Sequence, residues 1–514
     1  MILGQQSPLH SHLVACCDDV LRLIFDHLAG PDLHTICLVH PYLRNVAQPY
    51  LYTTIRFKTW VDRDKDWKRE TPKTHPISPL LRTLVKKPEL VDYVRTIHCD
   101  GKLYYNGFYR GQSPRMVISD IDLDVLVPFV EERWGQAPSR DSWIDKLRQG
   151  SMDAYLALLL TLVSHLRSLH LGPDFEIESH MMGLILRSGL CGTGPMSFTG
   201  QDGILQHLKS VSLCRFADLV REWTFDRNTP NMLPFFYLPS LRHLEVSMDN
   251  PGPDPSLPLP WPTAKLPSAT TITSLRLKDF REAHLGQLLV ITPNLTTLWL
   301  DLEFVRDYEN GCNTPIFDLD IIMRALLQVR NTLTELNIYA YVGGAPWPYC
   351  QCPEPPQVLG APPTTFASFD QLKTLAIPLA FLNGLRAPAE QRSSWNCCLP
   401  RNLEVLALRQ ELLVEYGDLY DEYEPWEEVA QMRTVRFWLS TVTETHPKLR
   451  RLLIQEDGGG PLHPDTEGLR EDDKELYFVK LDIENLARWA GIHLEWSVDE
   501  LAFSAVDMEL LDSV

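Results

Sequence analysis

Four cysteines offer the residue types best able to grip a metal: Cys350 and Cys352 in a C-Q-C run, and the adjacent Cys397-Cys398. Four thiolates can surround a zinc ion tetrahedrally. Adjacent cysteines and a long intervening gap do not match the paired spacings of structural zinc sites, so free thiols fit the same residues and no metal is expected. Gly192-Thr193-Gly194 sits alone in a polar stretch, and there is no G-x-x-x-x-G-K-[ST], no H-E-x-x-H and no G-x-S-x-G, the patterns that cradle phosphates, bind zinc or present a nucleophile. The 16 histidines are scattered singly. No nucleophile, base and orienting group stand out, so the chain reads as a non-catalytic protein without a cofactor.

Elements that position a surface are far more visible than elements that position a reaction. With 514 residues there is ample material for a large core. The net charge of −19 argues against a nucleic-acid partner, whose phosphates need a basic face. Eleven cysteines without a regular framework fit a reducing compartment. The longest apolar run, Ala154 to Val163, is too short to span a membrane. The N-terminal segment MILGQQSPLH lacks the basic start and apolar stretch of a secretory signal. An intracellular protein, cytoplasmic or nuclear, with no membrane partner is expected.

Repetition dominates the body of the chain. The template L-x-x-L-x-L, with Val or Ile allowed, recurs at Leu166-Leu169-Leu171, Leu208-Val211-Leu213, Leu241-Leu244-Val246, Ile272-Leu275-Leu277 and Leu295-Leu298-Leu300. It continues at Leu333-Leu336-Ile338, Leu372-Leu375-Ile377, Leu403-Leu406-Leu408 and Leu449-Leu452-Ile454, with a degenerate copy at Val94-Ile97-Cys99. The closing alternation predicts a short strand with leucines on one side. Helical spacing precedes several copies, as in Leu319, Ile322, Met323, Leu326 and Leu327, and in Leu285, Leu288 and Leu289. Strand and helix, each with one apolar face, bury those faces by stacking into an α/β solenoid with parallel strands on the concave side and helices on the convex side. These copies resemble leucine-rich repeats. The Asn or Cys that this family places three positions after the last leucine is missing; Asp174, Phe280, Glu303 and Tyr341 are among the residues found there. Irregular turns and uneven curvature are therefore expected. Two segments with seven prolines each, 251–267 and 346–363, read as exposed insertions. Asp482 to Trp496 reads as a terminal cap: Leu486, Trp489 and Ala490 form a helical face, Gly491 ends the helix, and Ile492, Leu494 and Trp496 alternate as a last strand.

The stretch from Cys16 to Tyr52 reads as three short helices. Asp18 is placed to cap the first, Gly30-Pro31 to stop it, Asp32 to begin the second and His40-Pro41 the third. So short a piece cannot bury all its apolar side chains internally, which leaves some for another surface. The runs Ile24-Phe25-x-x-Leu28, Asp32-Leu33, Cys37-Leu38-Val39 and Leu51-Tyr52 resemble an F-box, and the ending Leu51-Tyr52-x-x-Ile55 with irregular repeats and proline-rich insertions is similar to fungal members of that family. The motif departs from the family at Cys16-Cys17, which stand where Leu-Pro is usual. The resemblance implies docking on a Skp-type adaptor, and through it on a cullin-RING ubiquitin ligase, by Cys17, Val20, Leu21, Ile24, Phe25, Leu28, Leu33, Leu38 and Val39. The alternative is a repeat scaffold without ligase association, in which these helices only cap the solenoid.

The expected organisation is a tail (1–15), the F-box-like helices (16–57), a linker (58–90), the solenoid (91–496) and a C-terminal tail (497–514). On the concave face, alternation points Trp299, Arg276, Asn337, His243 and Glu245 outward as candidates for binding an unidentified target protein. An insertion covering Trp299 would instead make it ordinary packing. Glu411 to Glu428 carries eight acids and no Lys or Arg, a solvated loop or a lure for a basic segment.

Overall fold

A computed structural model describes residues 13–58, 75–101, 115–135, 137–175, 178–193, 204–213, 228–249, 257–305, 316–343, 357–359, 364–383, 395–410, 428–455 and 471–497. They form an α/β structure divided into two compact units, residues 1–241 with 262–264, and residues 242–261 with 265–514. No helix among the described residues is long and apolar enough to cross a membrane.

The first unit opens with α1 (Asp18–Asp26), α2 (Gly30–Val39) and α3 (Pro41–Thr53). Cys17, rather than Asp18, occupies the cap position of α1, and its side chain makes no capping bond. Gly30 and Pro31 begin α2 instead of ending α1; proline fits a first turn because its missing N–H has no partner there. The His40 ring caps α3 by accepting from the Tyr42 N–H at 3.2 Å. The Arg44 Nε donates to the Cys37 carbonyl at 2.8 Å, meeting an otherwise orphan group at the end of α2. The three helices enclose their own small core of Leu21, Phe25, Leu33, Cys37, Leu43, Val46 and Ala47.

Four parallel strands follow: β1 (Thr54–Phe57), β2 (Thr96–Cys99), β3 (Ser168–Leu171) and β4 (Ser210–Leu213), side by side in chain order. Register aligns Ile55, Ile97, Leu169 and Val211 in one buried row. The stretch read as linker contains α4 (Ile77–Lys86), whose Ile77, Leu81 and Leu84 are buried; helical spacing survives inside a polar context. Residues 59–74 lie outside the described residues. α5 (Asp120–Trp134) and α6 (Arg140–Arg148) bring Trp134 and Trp143 into a stack at 4.7 Å. The apolar run noted above is α7 (Met152–Leu162), buried at every position from Met152 to Leu160, as a helix apolar all round must be. Asp153 on α7 accepts from the Met181 and Met182 N–H groups at 2.6 and 3.0 Å, at the start of α8 (His180–Leu186).

The second unit carries β5 (His243–Ser247), β6 (Ser274–Lys278), β7 (Thr297–Val305), β8 (Ile316–Asp318), β9 (Glu335–Gly343), β10 (Gln357–Leu359), β11 (Thr374–Pro378), β12 (Val405–Arg409), β13 (Arg451–Gln455) and β14 (His493–Ser497). Eight of them lie parallel in the order β5-β6-β7-β9-β11-β12-β13-β14, with Leu244, Leu275, Leu298, Leu336, Leu375, Leu406, Leu452 and Leu494 in register. Every template copy is thus a strand. Between them, α9 (Leu285–Leu289) and α10 (Leu319–Leu326) bury Leu285, Leu288 and Leu289, and Leu319, Ile322, Met323 and Leu326, while Leu327 follows α10 half-buried; Asp318 caps α10 by accepting from the Ile321 N–H at 3.0 Å. β7 and β9 run nine residues each and pair along their whole length, so positions 303 and 341, where a turn is expected, continue the strands.

Two further expectations are corrected. Within 346–363, residues 357–359 form β10, which pairs in parallel with β8; a backbone pairing needs little from the side chains, so proline-rich flanks hid it. In the terminal element, α11 (Glu428–Leu439) packs against α12 (Glu471–Trp489), which buries Val479, Ile483 and Ala487 while Trp489 stays 74% exposed. Gly491 takes a left-handed φ of +72°, ending the helix as expected.

Candidate protein-docking surfaces

The N-terminal helices divide their apolar residues between two directions. Leu21, Phe25 and Leu33 are buried in the three-helix core and Leu28 packs at its edge. Val20 and Ile24 remain exposed on α1, Leu38 and Val39 at the end of α2, and Cys17 before α1. Leu38 is 67% exposed, and Leu23, which the motif does not single out, 70%. Val20, Leu23 and Ile24 share one helical face, being three and four residues apart. Of the nine residues expected to meet an adaptor, Leu21, Phe25 and Leu33 therefore hold the helices together instead. Their i, i+4 spacing inward is the same signal as the outward set, and only the packing of α3 separates the two. Tyr42 fixes this arrangement: its hydroxyl donates to Asp18 Oδ1 at 2.7 Å and lies 3.1 Å from the Cys16 carbonyl. That bond to Asp18 is the main reason the phenol titrates above its usual range. Burial raises the Cys37 thiol above its ordinary value, keeping it neutral in the core.

The second candidate surface is the face of the second unit's sheet opposite the leucines. Register places Glu245, Arg276, Trp299 and Asn337 side by side on β5, β6, β7 and β9, with His243 two residues before Glu245 on the same face of β5. Trp299 is only 9% exposed. The Arg276 guanidinium lies 4.7 Å from its ring centroid, and its Nε1 donates to Glu335 Oε1 at 3.1 Å. Arg276 also donates to Asp301 Oδ2 from Nε and Nη2, at 3.1 and 2.9 Å. Lys278 pairs with Glu245 at 2.6 Å. Asn337 is buried and accepts from Arg409 Nη2 at 3.1 Å. Trp299 and Asn337 are therefore not exposed contact residues: charged side chains close over them, from the adjacent strands β6 and β9 over Trp299 and from β12, two strands away, over Asn337. Arg276, Glu245 and His243 stay half-exposed, and burial beside Arg242 holds the His243 imidazole below its ordinary range. Farther along the same row Ala376, Ala407 and Leu453 form a small buried apolar cluster.

A third grouping joins histidines that look solitary in sequence. His98 on β2 and His170 on β3 are paired in register, their rings stacked at 4.4 Å, and His98 Nε2 lies 2.6 Å from Asp100 Oδ1. One donor atom from each of the three residues falls within 4.8 Å of the others. The signal was available: superimposing the copies Val94-Ile97-Cys99 and Leu166-Leu169-Leu171 puts both histidines in the same slot of adjacent strands.

The cysteine candidates give no such convergence among the described residues. Cys350, Cys352 and the side chain of Cys397 lie outside them, and Cys398 is buried. Gly192 takes a left-handed φ of +65° and Gly194 lies outside the described residues, as does the acidic run through position 427. No protein-family model and no curated protein matches the sequence.

Proposed function

We propose that the chain is a non-catalytic substrate receptor of a Skp/cullin/F-box ubiquitin ligase, gripping a Skp-type adaptor with α1 and α2 and a target protein with its repeats. The observation that carries this reading is the outward apolar set Val20, Leu23, Ile24, Leu38 and Val39, on helices that already possess a core of their own. Apolar side chains left in water after a domain has closed its core mark a contact with another macromolecule. Strands built on a leucine template and laid parallel in chain order support the leucine-rich-repeat part of the reading. The function is one of proximity: a target held beside a ubiquitin-charged enzyme reacts at high effective concentration without any covalent step on this chain. Co-expression with a Skp-type adaptor followed by affinity capture tests it. A one-to-one complex is expected, and an adaptor that never co-purifies refutes the ligase assignment.

One observation favours the alternative, a repeat scaffold in which the helices are a cap. α3 runs into β1 without an intervening residue, and the Arg95 N–H before β2 donates to the Thr53 carbonyl at 2.9 Å. On that reading the adaptor is not captured, whereas deletion of residues 13–53 destabilises the first strands.

A further inference from the structure

We propose that His98, His170 and Asp100 form a binding site for one divalent transition-metal ion of the zinc class. Two imidazoles and a carboxylate are the ligand set that such ions prefer, whereas calcium and magnesium seek oxygen alone. The donors come from adjacent parallel strands whose pairing sets His98 directly opposite His170. At present His98 Nε2 and Asp100 Oδ1 are 2.6 Å apart, and the three donor atoms lie within 4.8 Å of one another. Zinc–nitrogen and zinc–oxygen bonds of about 2.0–2.2 Å in a tetrahedron put ligand atoms about 3.4 Å apart. The closest pair must therefore open by less than about 1 Å and the farthest close by somewhat more than 1 Å, which side-chain rotation supplies. The metal would take the place of the proton now shared between His98 and Asp100.

The backbone beneath the site is already fixed. The Asp100 N–H donates to the Phe57 carbonyl on β1 at 2.7 Å, and the Gly172 N–H donates to the Cys99 carbonyl at 2.8 Å. Gly172 permits this close approach, since a Cβ there would lie 2.7 Å from both the N and the O of Gly101. The turn bearing Asp100 is thus held between β1 and β3, and a site on fixed backbone loses little freedom when it closes on an ion. Asp100 is exposed and the two histidines partly so, which leaves a coordination position for water or for a side chain from a partner. Only imidazole and carboxylate are involved, so the site is independent of the cysteines.

The test uses the full chain, stripped with a chelator, dialysed, and titrated with zinc chloride in competition with a chromophoric chelator. One ion per chain is expected at this site. His98→Ala and His170→Ala should each weaken that ion's binding by at least about tenfold, because even outer-shell partners of a metal ligand are worth that much; Asp100→Asn should weaken it too. Metal-free variants should melt close to the metal-free wild type, since Asp100 is exposed and both histidines are half-exposed, and the double variant His98→Gln/His170→Gln repeats the comparison at closer volume. Cobalt substituted into the wild type should show d–d absorption without a thiolate charge-transfer band. Equal zinc uptake by the wild type and the histidine variants, no uptake by the wild type, or magnesium binding as tightly as zinc would each overturn the proposal.

Discussion

Leu38→Asp separates docking from folding. Leu38 is 67% exposed on α2, so covering it with a partner returns about two-thirds of the roughly 1.5–3 kcal/mol of a fully buried leucine, or about 1–2 kcal/mol. A carboxylate in its place loses that contribution and adds a desolvation penalty of at least about 1–3 kcal/mol if it is left unpaired. The sum, about 2–5 kcal/mol, corresponds to a 30-fold to several-thousandfold weaker complex, at about 1.4 kcal/mol per decade. In the free chain the same change touches no core contact and should shift unfolding by less than about 0.5 kcal/mol. Phe25→Ala is the opposite case: the ring is fully buried and packs edge-on against Tyr50 at 6.4 Å, and its loss should destabilise the helices by about 3–5 kcal/mol. Calorimetric titration against purified adaptor, with urea unfolding followed by circular dichroism, reads both numbers. If Leu38→Asp binds the adaptor as the wild type does, or unfolds the helices as Phe25→Ala does, the assignment of α2's exposed end to docking is wrong.

Three more outcomes follow from particular contacts. Burial of His75, whose ring lies 5.3 Å from Phe57 and 6.0 Å from Phe175, pushes its imidazole down to about 4, against about 6.5 in an unfolded chain. The unfolded chain therefore takes up the proton first, and stability present above about pH 6.5 is lost as pH falls toward 4, by up to about 3 kcal/mol. His75→Asn keeps an acceptor for the Ile77 N–H that His75 Nδ1 now receives at 3.2 Å but cannot titrate; its urea midpoint should fall less than that of the wild type between about pH 7.5 and pH 5. An identical slope in the two proteins would refute this. The comparison must be made against the variant, because burial raises Asp153 to about 6 and so opposes the loss over the same range. Trp299→Phe should remove only the bond to Glu335 and lower stability by about 1–2 kcal/mol, whereas Trp299→Ala should lose about 3–5 kcal/mol, both read by urea unfolding; an unchanged midpoint for Trp299→Ala would return the residue to the surface. Gly172→Ala should cost about 1–3 kcal/mol, seen as a lower melting temperature, because its methyl group meets the backbone of Gly101.

The strands were legible because a leucine template needs only period two, and Leu169, Leu275 or Leu406 announce it without help from distant residues. β1 went unseen because Ile55 and Phe57 fall inside what reads as the end of a helical motif, and β8 with β10 because three-residue strands flanked by prolines have no pattern of their own. Candidate site residues were harder. Alternation correctly assigned Trp299 to the face away from the leucines, yet its exposure depended on Arg276 and Glu335, two strands whose side chains happened to reach it. The motif named Leu21 and Leu38 together, although one faces inward and the other out. His98 and His170 are 72 positions apart in the chain, and only strand pairing makes them neighbours.

The junction between α3 and β1 has a mechanical consequence. Thr53 is the last residue of the helix and Thr54 the first of the strand, so no joint exists there about which one could swivel against the other. A protein that clamped the amino-terminal helices would hold β1 through β4 at a fixed bearing, like a handle cast in one piece with its blade, and a few glycines spliced in after Thr53 would turn that rigid mount into a tether.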